Sequence, residues 1–295
     1  MLKDLPEQSV NTCITSPPYW GLRDYGEGEQ LGLEDSPDKF VENLVSVFRE
    51  VKRVLRDDGT VWLNLGDSYS SGGRTTTTNQ TLRGDKDYGV IRPKPSKGIK
   101  PKDLIGIPWR VAFALQADGW YLRQDIIWHK PNPMPESVRD RCTKAHEYIF
   151  LLSKNAKYYF DNESIKEDAV NKGKKSDGFK GRQGTADYHA KGGGVGSSEK
   201  IYNKKNKRSV WTVTTKPFKG AHFATFPTDL IEPCVLAGCP EGGTVLDPFG
   251  GAGTTGLVAQ QNNRDSILIE LNPDYIEIAK ERLNNDAPLF NEVVA

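Results

Sequence analysis

Residues 245–256 read Val245-Leu246-Asp247-Pro248-Phe249-Gly250-Gly251-Ala252-Gly253-Thr254-Thr255-Gly256, a short apolar run followed by a turn rich in glycine. Glycine lets a backbone turn tightly and approach a ligand without a Cβ in the way. Helical spacing follows from Gly256 to Gln261, and a second apolar strand, Ser266 to Glu270, ends on an acidic side chain. This order predicts a nucleoside-binding α/β unit in which Glu270 accepts hydrogen bonds from ribose hydroxyls.

The surroundings of this turn narrow the choice of nucleoside. Only 25 residues follow Glu270, which leaves no room for the second half of a dinucleotide-binding fold. The Gly-Lys-Ser/Thr sequence of phosphate-cradling loops is absent from the chain. The segment Asp247-Pro248-Phe249 instead resembles the loop with which methyltransferases bind S-adenosyl-L-methionine. A glycine turn that serves only helix packing is the alternative, which the neighbouring strands and Glu270 disfavour.

Strands and helices alternate along the rest of the chain. Val10 to Thr15 is the first predicted strand, and an amphipathic helix follows from Ser36, its N-cap, to Leu55, with Pro37 at its first position. Such alternation predicts a doubly wound, mostly parallel α/β sheet. The other predicted strands are Thr60–Leu65, Tyr121–His129, Tyr148–Leu152 and Thr244–Asp247, and the other helices are Ile107–Gly119, Thr228–Ala237 and Pro273–Leu283.

The first predicted strand runs into Ser16-Pro17-Pro18-Tyr19. Two consecutive prolines cannot continue a sheet ladder, so the chain must leave the sheet there as a rigid loop. An exocyclic amine is a poor nucleophile because its lone pair is delocalised into the ring. The Ser16 hydroxyl and the Pro17 carbonyl can accept its hydrogens and orient its lone pair. Tyr19 offers an aromatic face on which a base rotated out of a duplex can stack.

Taken together, these motifs resemble the amino-methyltransferase family of DNA-modifying enzymes, which make N4-methylcytosine or N6-methyladenine. Ser16 to Tyr19 match the catalytic signature of that family, and Asp247-Pro248-Phe249-x-Gly251-x-Gly253 matches its cofactor signature. The catalytic loop comes first, as in the permuted β-type members, and the resemblance extends from Asn11 to about Leu283. Two further segments resemble later family motifs less specifically, namely 127–132 and 222–227.

The resemblance implies a Rossmann-like, adenosylmethionine-dependent fold and assigns roles to residues of this sequence. The catalytic residues would be Ser16, Pro17, Pro18 and Tyr19. The residues that bind S-adenosyl-L-methionine would be Asp247, Phe249, Gly251, Gly253, Thr254, Glu270, Thr225 and Phe226, the last two by closing the pocket. No metal site is expected.

The choice of base follows from the resemblance rather than from physical chemistry. Members with Ser at the first position of the tetrapeptide are mostly N4-cytosine enzymes, so Ser16 favours cytosine, and N6-adenine stays the alternative. An RNA or protein methyltransferase and a non-catalytic DNA-binding relative are less favoured. Asn in place of Ser16 would have favoured a protein substrate, and Asp247, Gly251 and Glu270 show none of the decay expected of an inactive relative.

The charge of the chain is unevenly distributed. Although the net charge is +1, residues 171–208 contain eleven Lys or Arg against three Asp or Glu, and eight glycines. A segment with net charge +8 is a plausible contact for phosphates, and a solvated basic loop is the other interpretation. In β-type members the target recognition region falls here. We therefore expect residues 1–160 and 209–295 to form one catalytic domain and 161–208 to be a flexible basic insertion that recognises the target.

Composition excludes several other classes of protein. A hydrophobic share of 36% and a charged share of 27% are typical of a soluble globular chain. No apolar run approaches the roughly 20 residues that cross a bilayer. The four cysteines lack the spacing of a zinc site, so a reducing cytoplasm is the expected compartment. Double-stranded DNA is the expected partner, whereas a cognate restriction endonuclease and a monomeric or homodimeric state are left open.

Overall fold

The computed structural model describes residues 1–22, 28, 30–70, 99–169, 203–216 and 226–286. The strands are β1 (Val10–Thr15), β2 (Leu55–Leu65), β3 (Tyr121–His129), β4 (His146–Ser153), β5 (Glu167–Asp168), β6 (Lys204–Lys205), β7 (Val210–Thr212), β8 (Thr244–Asp247) and β9 (Asp265–Leu268). The helices are α1 (Pro37–Val54), α2 (Ile107–Ala117), α3 (Thr228–Gly238), α4 (Thr254–Gln261) and α5 (Pro273–Asp286), and a short 3-10 helix spans Leu2–Asp4.

Seven strands form one sheet in the order β7-β3-β4-β2-β1-β8-β9. The pairs β1–β2, β1–β8, β8–β9 and β3–β7 are parallel, and β4 is antiparallel to both of its neighbours. The predicted α/β fold with a mostly parallel sheet is therefore confirmed, with one strand reversed. Because β4 is reversed, its first residues lie at the edge where β2 and β3 end.

Helix α1 forms where the apolar spacing predicts it. The Ser36 hydroxyl accepts a hydrogen bond from the backbone N–H of Lys39, which satisfies one of the free donors of the first turn. Phe40, Leu44 and Phe48 are fully buried at four-residue spacing.

The boundary after α1 differs from the prediction. The helix ends at Val54, and Leu55 begins β2, where the sequence predicted helix through Leu55 and a strand only from Thr60. Leu55 pairs with Val10 of β1. The sequence did not predict this pairing, because the polar residues Arg56, Asp57 and Asp58 give the start of β2 no apolar alternation.

The two faces of the sheet carry different helices. Val61, Leu63 and Leu65 of β2 belong to the apolar cluster that also contains residues of α1 and α2. Trp62 points the other way, since its indole nitrogen would lie 2.6 Å from a Cβ placed on Gly238 of α3. Successive side chains of a strand face opposite sides. Helices α1 and α2 therefore cover one face and α3 covers the other, as a doubly wound sheet requires.

The chain divides into two compact units, one made of Met1–Asp161 and Ser209–Ala295 and the other of Asn162–Arg208. In the second unit β5 pairs with β6 in an antiparallel ladder. The sequence did not predict this ladder, because strands of two residues are too short to show an apolar pattern. The expected flexibility of the insertion falls largely on residues 170–202, which lie outside the described residues.

Between β2 and α2, residues 71–98 lie outside the described residues, and Tyr69 and Leu104 on either side of them form an isolated antiparallel bridge. Within the described part of the chain, no helix has both the length and the apolar character that a membrane span needs.

Candidate active site

Strands β1 and β8 lie side by side and parallel, so their carboxyl ends meet at one edge of the sheet. Thr15 is the last residue of β1 and Asp247 the last of β8. The Ser16–Tyr19 tetrapeptide therefore starts beside the glycine-rich turn. Ligands of open α/β sheets bind beyond the carboxyl ends of the strands, which makes this edge the candidate site.

Asp247 holds the beginning of the glycine-rich turn. It is buried, and its Oδ1 accepts hydrogen bonds from the Thr15 hydroxyl at 2.6 Å and the Phe249 backbone N–H at 3.0 Å. Its Oδ2 accepts from the Thr255 hydroxyl at 2.6 Å. Burial raises the pKa of this carboxyl to about 6, because it outweighs the donated hydrogen bonds, which lower the pKa. Asp247 thus ties β1, the turn and α4 together.

Two glycines of the turn adopt left-handed backbone angles, with φ of +49° at Gly251 and +74° at Gly253. Gly253 precedes α4, and a Cβ there would lie 2.9 Å from the Cβ of Ala279 in α5. Glycine is therefore required at Gly253 both by conformation and by space.

Glu270 follows β9 and braces the other side of the turn. Its Oε2 accepts the backbone N–H of Gly251 at 2.8 Å, and its Oε1 accepts those of Leu271 at 3.0 Å and Asn272 at 2.9 Å. A carboxylate has about four acceptor positions, so Oε2 retains capacity for one further donor.

A pocket of about 540 Å³ opens between these loops. This volume is within the range of about 300–1,000 Å³ that is usual for small-molecule sites. The lining brings together most residues that the sequence assigned to catalysis and to the cofactor: Ser16, Pro17, Pro18, Tyr19, Phe226, Asp247, Phe249, Gly251, Thr254 and Glu270. Residues at opposite ends of the chain thus border a single cavity.

Two of the assigned cofactor residues are not seen in this lining. Gly253 is not part of the lining and instead packs the start of α4 against Ala279. We attribute its presence in the motif to that close approach of two helices. Thr225 lies outside the described residues.

Other residues that line the pocket were not identified from the sequence. Asn272 and Tyr275, at the start of α5, are buried and border the cavity. Leu31 and Val47 add apolar surface from the loop before α1 and from α1 itself. Asn272 and Tyr275 could have been found from the Asn272-Pro273 pair, which is typical of a helix start. The Asn272 carboxamide oxygen indeed accepts the Asp274 backbone N–H. No local pattern marks Leu31 or Val47.

Ser16 and Tyr19 differ in how they are held. Ser16 is half-buried, and its hydroxyl makes no hydrogen bond to another described residue, so its lone pairs remain available. The Tyr19 ring lies against Gly66, where an added Cβ would come within 2.5 Å of Cε2. The Tyr19 hydroxyl donates to Oε2 of Glu147 at 2.7 Å. Sequence reasoning missed both Gly66 and Glu147.

The segment after the tetrapeptide is fastened to α1 through Glu34. The Trp20 indole N–H donates to the Glu34 carbonyl at 2.8 Å. The Glu34 carboxylate accepts the Gly32 backbone N–H at 2.9 Å and the Asn43 side-chain amide at 3.0 Å. A rigid element therefore supports the loop that carries Ser16 and Tyr19.

The described residues also place the possible metal ligands and the cysteines. Among them, no group of three or more His, Cys, Asp or Glu side chains is placed to hold a metal ion. All four cysteines are described and are free thiols, with Cys142 exposed and the other three buried. Cys234 is buried within α3.

Comparison with known proteins agrees with this geometry. A family described as DNA methylase, covering N6 and N4 methyltransferases, matches residues 10–281. The Type II methyltransferase M.Cfr9I of Citrobacter freundii is 51% identical over 286 residues, which cover 97% of this chain and 85% of the relative.

Solved structures show the same fold at lower sequence identity. PvuII DNA methyltransferase (cytosine-N4-specific) has a TM-score of 0.63 at 19% identity, covering 100% of this chain and 84% of its own. TTHA0409 of Thermus thermophilus, in complex with S-adenosyl-L-methionine, has a TM-score of 0.59 at 24% identity, covering 98% of this chain and 91% of its own.

The predicted family is thus confirmed by a family model that matches most of the chain and by a relative that is 51% identical over 97% of this chain. By these findings the chain belongs to the DNA methylase family of N6 and N4 methyltransferases.

Proposed function

We propose that this protein transfers a methyl group from S-adenosyl-L-methionine to the exocyclic N4 of a cytosine flipped out of double-stranded DNA. One observation carries the proposal. Ser16 and Tyr19, which suit an amine on a base, line the same 540 Å³ pocket as Gly251 and Glu270, which suit a nucleoside. Donor and acceptor would therefore meet within one cavity.

The pocket fits the methyl donor in chemistry as well as in size. Glu270 keeps an acceptor position on Oε2 for a ribose hydroxyl, and Gly251 lets the backbone come close to the ligand. Phe249, Leu31 and Val47 supply apolar surface for an adenine ring. When bound, adenosylmethionine supplies a methyl group on a positively charged sulfur, which is already an activated leaving group.

Ser16 and Pro17 would prepare the nucleophile. The Ser16 hydroxyl, which has no hydrogen-bond partner among the described residues, and the Pro17 carbonyl accept the two amino hydrogens, so the nitrogen lone pair turns from the ring towards the methyl carbon. The N–C bond forms as the C–S bond breaks with its electron pair going to sulfur, and one amino proton leaves to solvent. Because the leaving group is activated, no side chain of unusual pKa is required to drive the step.

Tyr19 would hold the base. Its ring borders the pocket, is backed by Gly66 and is fixed at its hydroxyl by Glu147. A flipped base loses its stacking partners in the duplex, and an aromatic side chain replaces part of that stacking. A rigid platform places the amine more accurately than a mobile one.

Cytosine is favoured over adenine because of Ser16. Family members with Ser at this position mostly act on cytosine N4, whereas those with Asp mostly act on adenine N6. The likeness to the PvuII enzyme concerns the fold, at 19% identity, and adds nothing independent on the base. Adenine N6 is therefore kept as the second candidate, with the same residues in the same roles.

Recognition of the DNA sequence is assigned to the insertion at 161–208. The segment 171–208 carries a net charge of +8, which suits a phosphate backbone. The separation of Asn162–Arg208 as a compact unit supports a distinct role for it.

The experiment is a nucleoside analysis. The protein is incubated with labelled S-adenosyl-L-methionine and double-stranded DNA, and the DNA is digested to nucleosides for mass spectrometry. Label in N4-methylcytosine is the expected result. Label in N6-methyladenine would show that the acceptor base is adenine, the second candidate. Label in C5-methylcytosine, or in no nucleoside, would overturn the proposal.

A further inference from the structure

Behind the catalytic loop, side chains from two strands converge on the Tyr19 hydroxyl. It donates to Oε2 of Glu147 on β4 at 2.7 Å and lies 3.4 Å from Oδ1 of Asn64 on β2. Asn64 is buried, and its amide donates to the Tyr148 carbonyl at 3.0 Å, which fixes the direction of its side chain. The hydroxyl therefore sits among acceptors that the sheet itself holds in place.

The carboxylate of Glu147 is paired with a cation that is itself enclosed. Lys130 contacts Oε1 of Glu147, and the side chains are only 17% and 15% exposed. The Lys130 ammonium lies 4.1 Å from the centre of the Trp128 ring, which is buried. Enclosing two charges has a desolvation cost that only good geometry offsets. The enclosed pair of Lys130 and Glu147, in contact with Tyr19, therefore indicates a role beyond packing.

From this arrangement we propose that Glu147 is a positioning residue for methyl transfer, acting through the Tyr19 hydroxyl and held in place by Lys130. The inference rests on the role proposed above for Tyr19 as the platform for the flipped base. Hydrogen bonds to a charged acceptor are stronger than neutral ones. With Gly66 against the ring and Glu147 on the hydroxyl, the platform is held both along its side and at its tip.

Two single variants and their combination test this assignment. Tyr19→Phe keeps the ring and removes the hydroxyl, whereas Glu147→Gln keeps the shape and removes the charge. Each is expected to lower kcat about tenfold or more, the loss typical of a hydrogen bond to a charged group. The affinity for S-adenosyl-L-methionine should stay unchanged, since Glu147 and Asn64, to which the Tyr19 hydroxyl is hydrogen-bonded, lie outside the described lining of the pocket.

The double variant separates positioning from general stability. If Glu147 acts through the hydroxyl, Tyr19→Phe/Glu147→Gln should be no slower than the slower single variant. Glu42→Gln is the matched control, because Glu42 also pairs with a lysine, Lys39, but on the exposed surface of α1. It should keep the wild-type kcat.

The outcomes are distinct. Wild-type kcat in Tyr19→Phe or in Glu147→Gln, or losses that multiply in the double variant, would overturn the inference. Should Glu147→Gln fail to fold, Tyr19→Phe decides alone, because it leaves the pair of Glu147 and Lys130 intact. Tyr19→Ala tests the proposed role of Tyr19 as the platform for the base. Full activity in Tyr19→Ala would overturn that role. An inactive Tyr19→Ala together with a fully active Tyr19→Phe would overturn only the role of Glu147.

Discussion

The Thr15 hydroxyl donates a 2.6 Å hydrogen bond to Oδ1 of Asp247 across 232 residues of sequence. Thr15 immediately precedes the tetrapeptide Ser16–Tyr19, which we propose to be catalytic, and Asp247 opens the glycine-rich turn, which we propose to bind the cofactor. Both side chains are buried at the carboxyl ends of adjacent parallel strands. The contact therefore couples the position of the loop proposed to bind the amine to that of the loop proposed to bind the methyl donor, as in-line transfer between them would require.

The charge of Asp247 predicts how stability varies with pH. Burial raises its folded pKa to about 6 from an ordinary value of 3.8. Between these values the folded state binds the proton more readily than the unfolded state, so the contribution is greatest at low pH and is lost as pH rises through 6. The loss amounts to about 3 kcal/mol at 1.36 kcal/mol per pKa unit.

Asp247→Asn, which is neutral at every pH, should lack this dependence. The free energy of unfolding of the wild type minus that of the variant should fall by up to about 3 kcal/mol from about pH 4 to above about pH 6. Urea unfolding at a series of pH values measures it. A difference that grows with pH would show that Asp247 is stabilised, not penalised, as a carboxylate.

Removal of the Glu270 carboxylate should weaken cofactor binding. Glu270→Ala frees three backbone N–H groups and removes the acceptor offered to a ribose hydroxyl. Hydrogen bonds to charged groups contribute roughly 1.5–3 kcal/mol, so the Kd for S-adenosyl-L-methionine should rise about tenfold or more. Calorimetry measures the Kd, with Glu277→Gln as the control, because Glu277 pairs with Lys280 on the exposed side of α5. An unchanged Kd in Glu270→Ala would count against the ribose assignment.

Gly66 should prove necessary for its small size rather than for its backbone freedom. A Cβ at Gly66 would lie 2.5 Å from the Tyr19 ring, so Gly66→Ala must displace the ring. A displacement of about 1 Å can cost about a hundredfold in rate, and we expect a loss of kcat with unchanged affinity for S-adenosyl-L-methionine. Gly28→Ala is the matched control, because a Cβ there meets no atom of the described residues within 4 Å. Equal kcat in the two variants would argue that Tyr19 need not occupy this position.

The insertion can be shortened where the structure brings its ends together. The backbone N–H of Ala169 donates to the Asn203 carbonyl at 2.9 Å, beside the β5–β6 ladder. Residues 170–202 can thus be replaced by an Asn-Gly turn. This removes seven Lys or Arg residues, so DNA affinity should fall and its dependence on salt should become less steep. Titrations at several salt concentrations measure both, and an unchanged slope would mean that the segment makes no phosphate contacts.

Much of this site was predictable because its parts follow strands. Asp247, Glu270 and the Ser16–Tyr19 loop each come directly after an apolar run, and a doubly wound sheet collects such residues at one edge. The roles proposed for these loops also rest on local sequence, since glycine, proline and acidic residues suggest a chemistry without reference to a partner residue.

The residues that support Tyr19 were not predictable, because their positions depend on the pairing of strands. Glu147 comes near Tyr19 only because β4 is antiparallel to β2 and β3, which puts its first residues at the edge of the sheet where those strands end. No periodicity in a single strand encodes its direction in the sheet. In the sequence Gly66 looks like any glycine at the end of a strand. Its need for small size becomes apparent only when the Tyr19 ring is placed against it.

The most direct test of a single active site is the rate of methyl transfer by Ser16→Ala in a single turnover, with the Kd for S-adenosyl-L-methionine measured on the same preparation. Ser46→Ala, on the exposed surface of α1, is the control. Loss of a preorganised group at the reacting centre costs about a hundredfold or more, so we expect that loss in Ser16→Ala with an unchanged Kd. A wild-type transfer rate in Ser16→Ala would contradict the account.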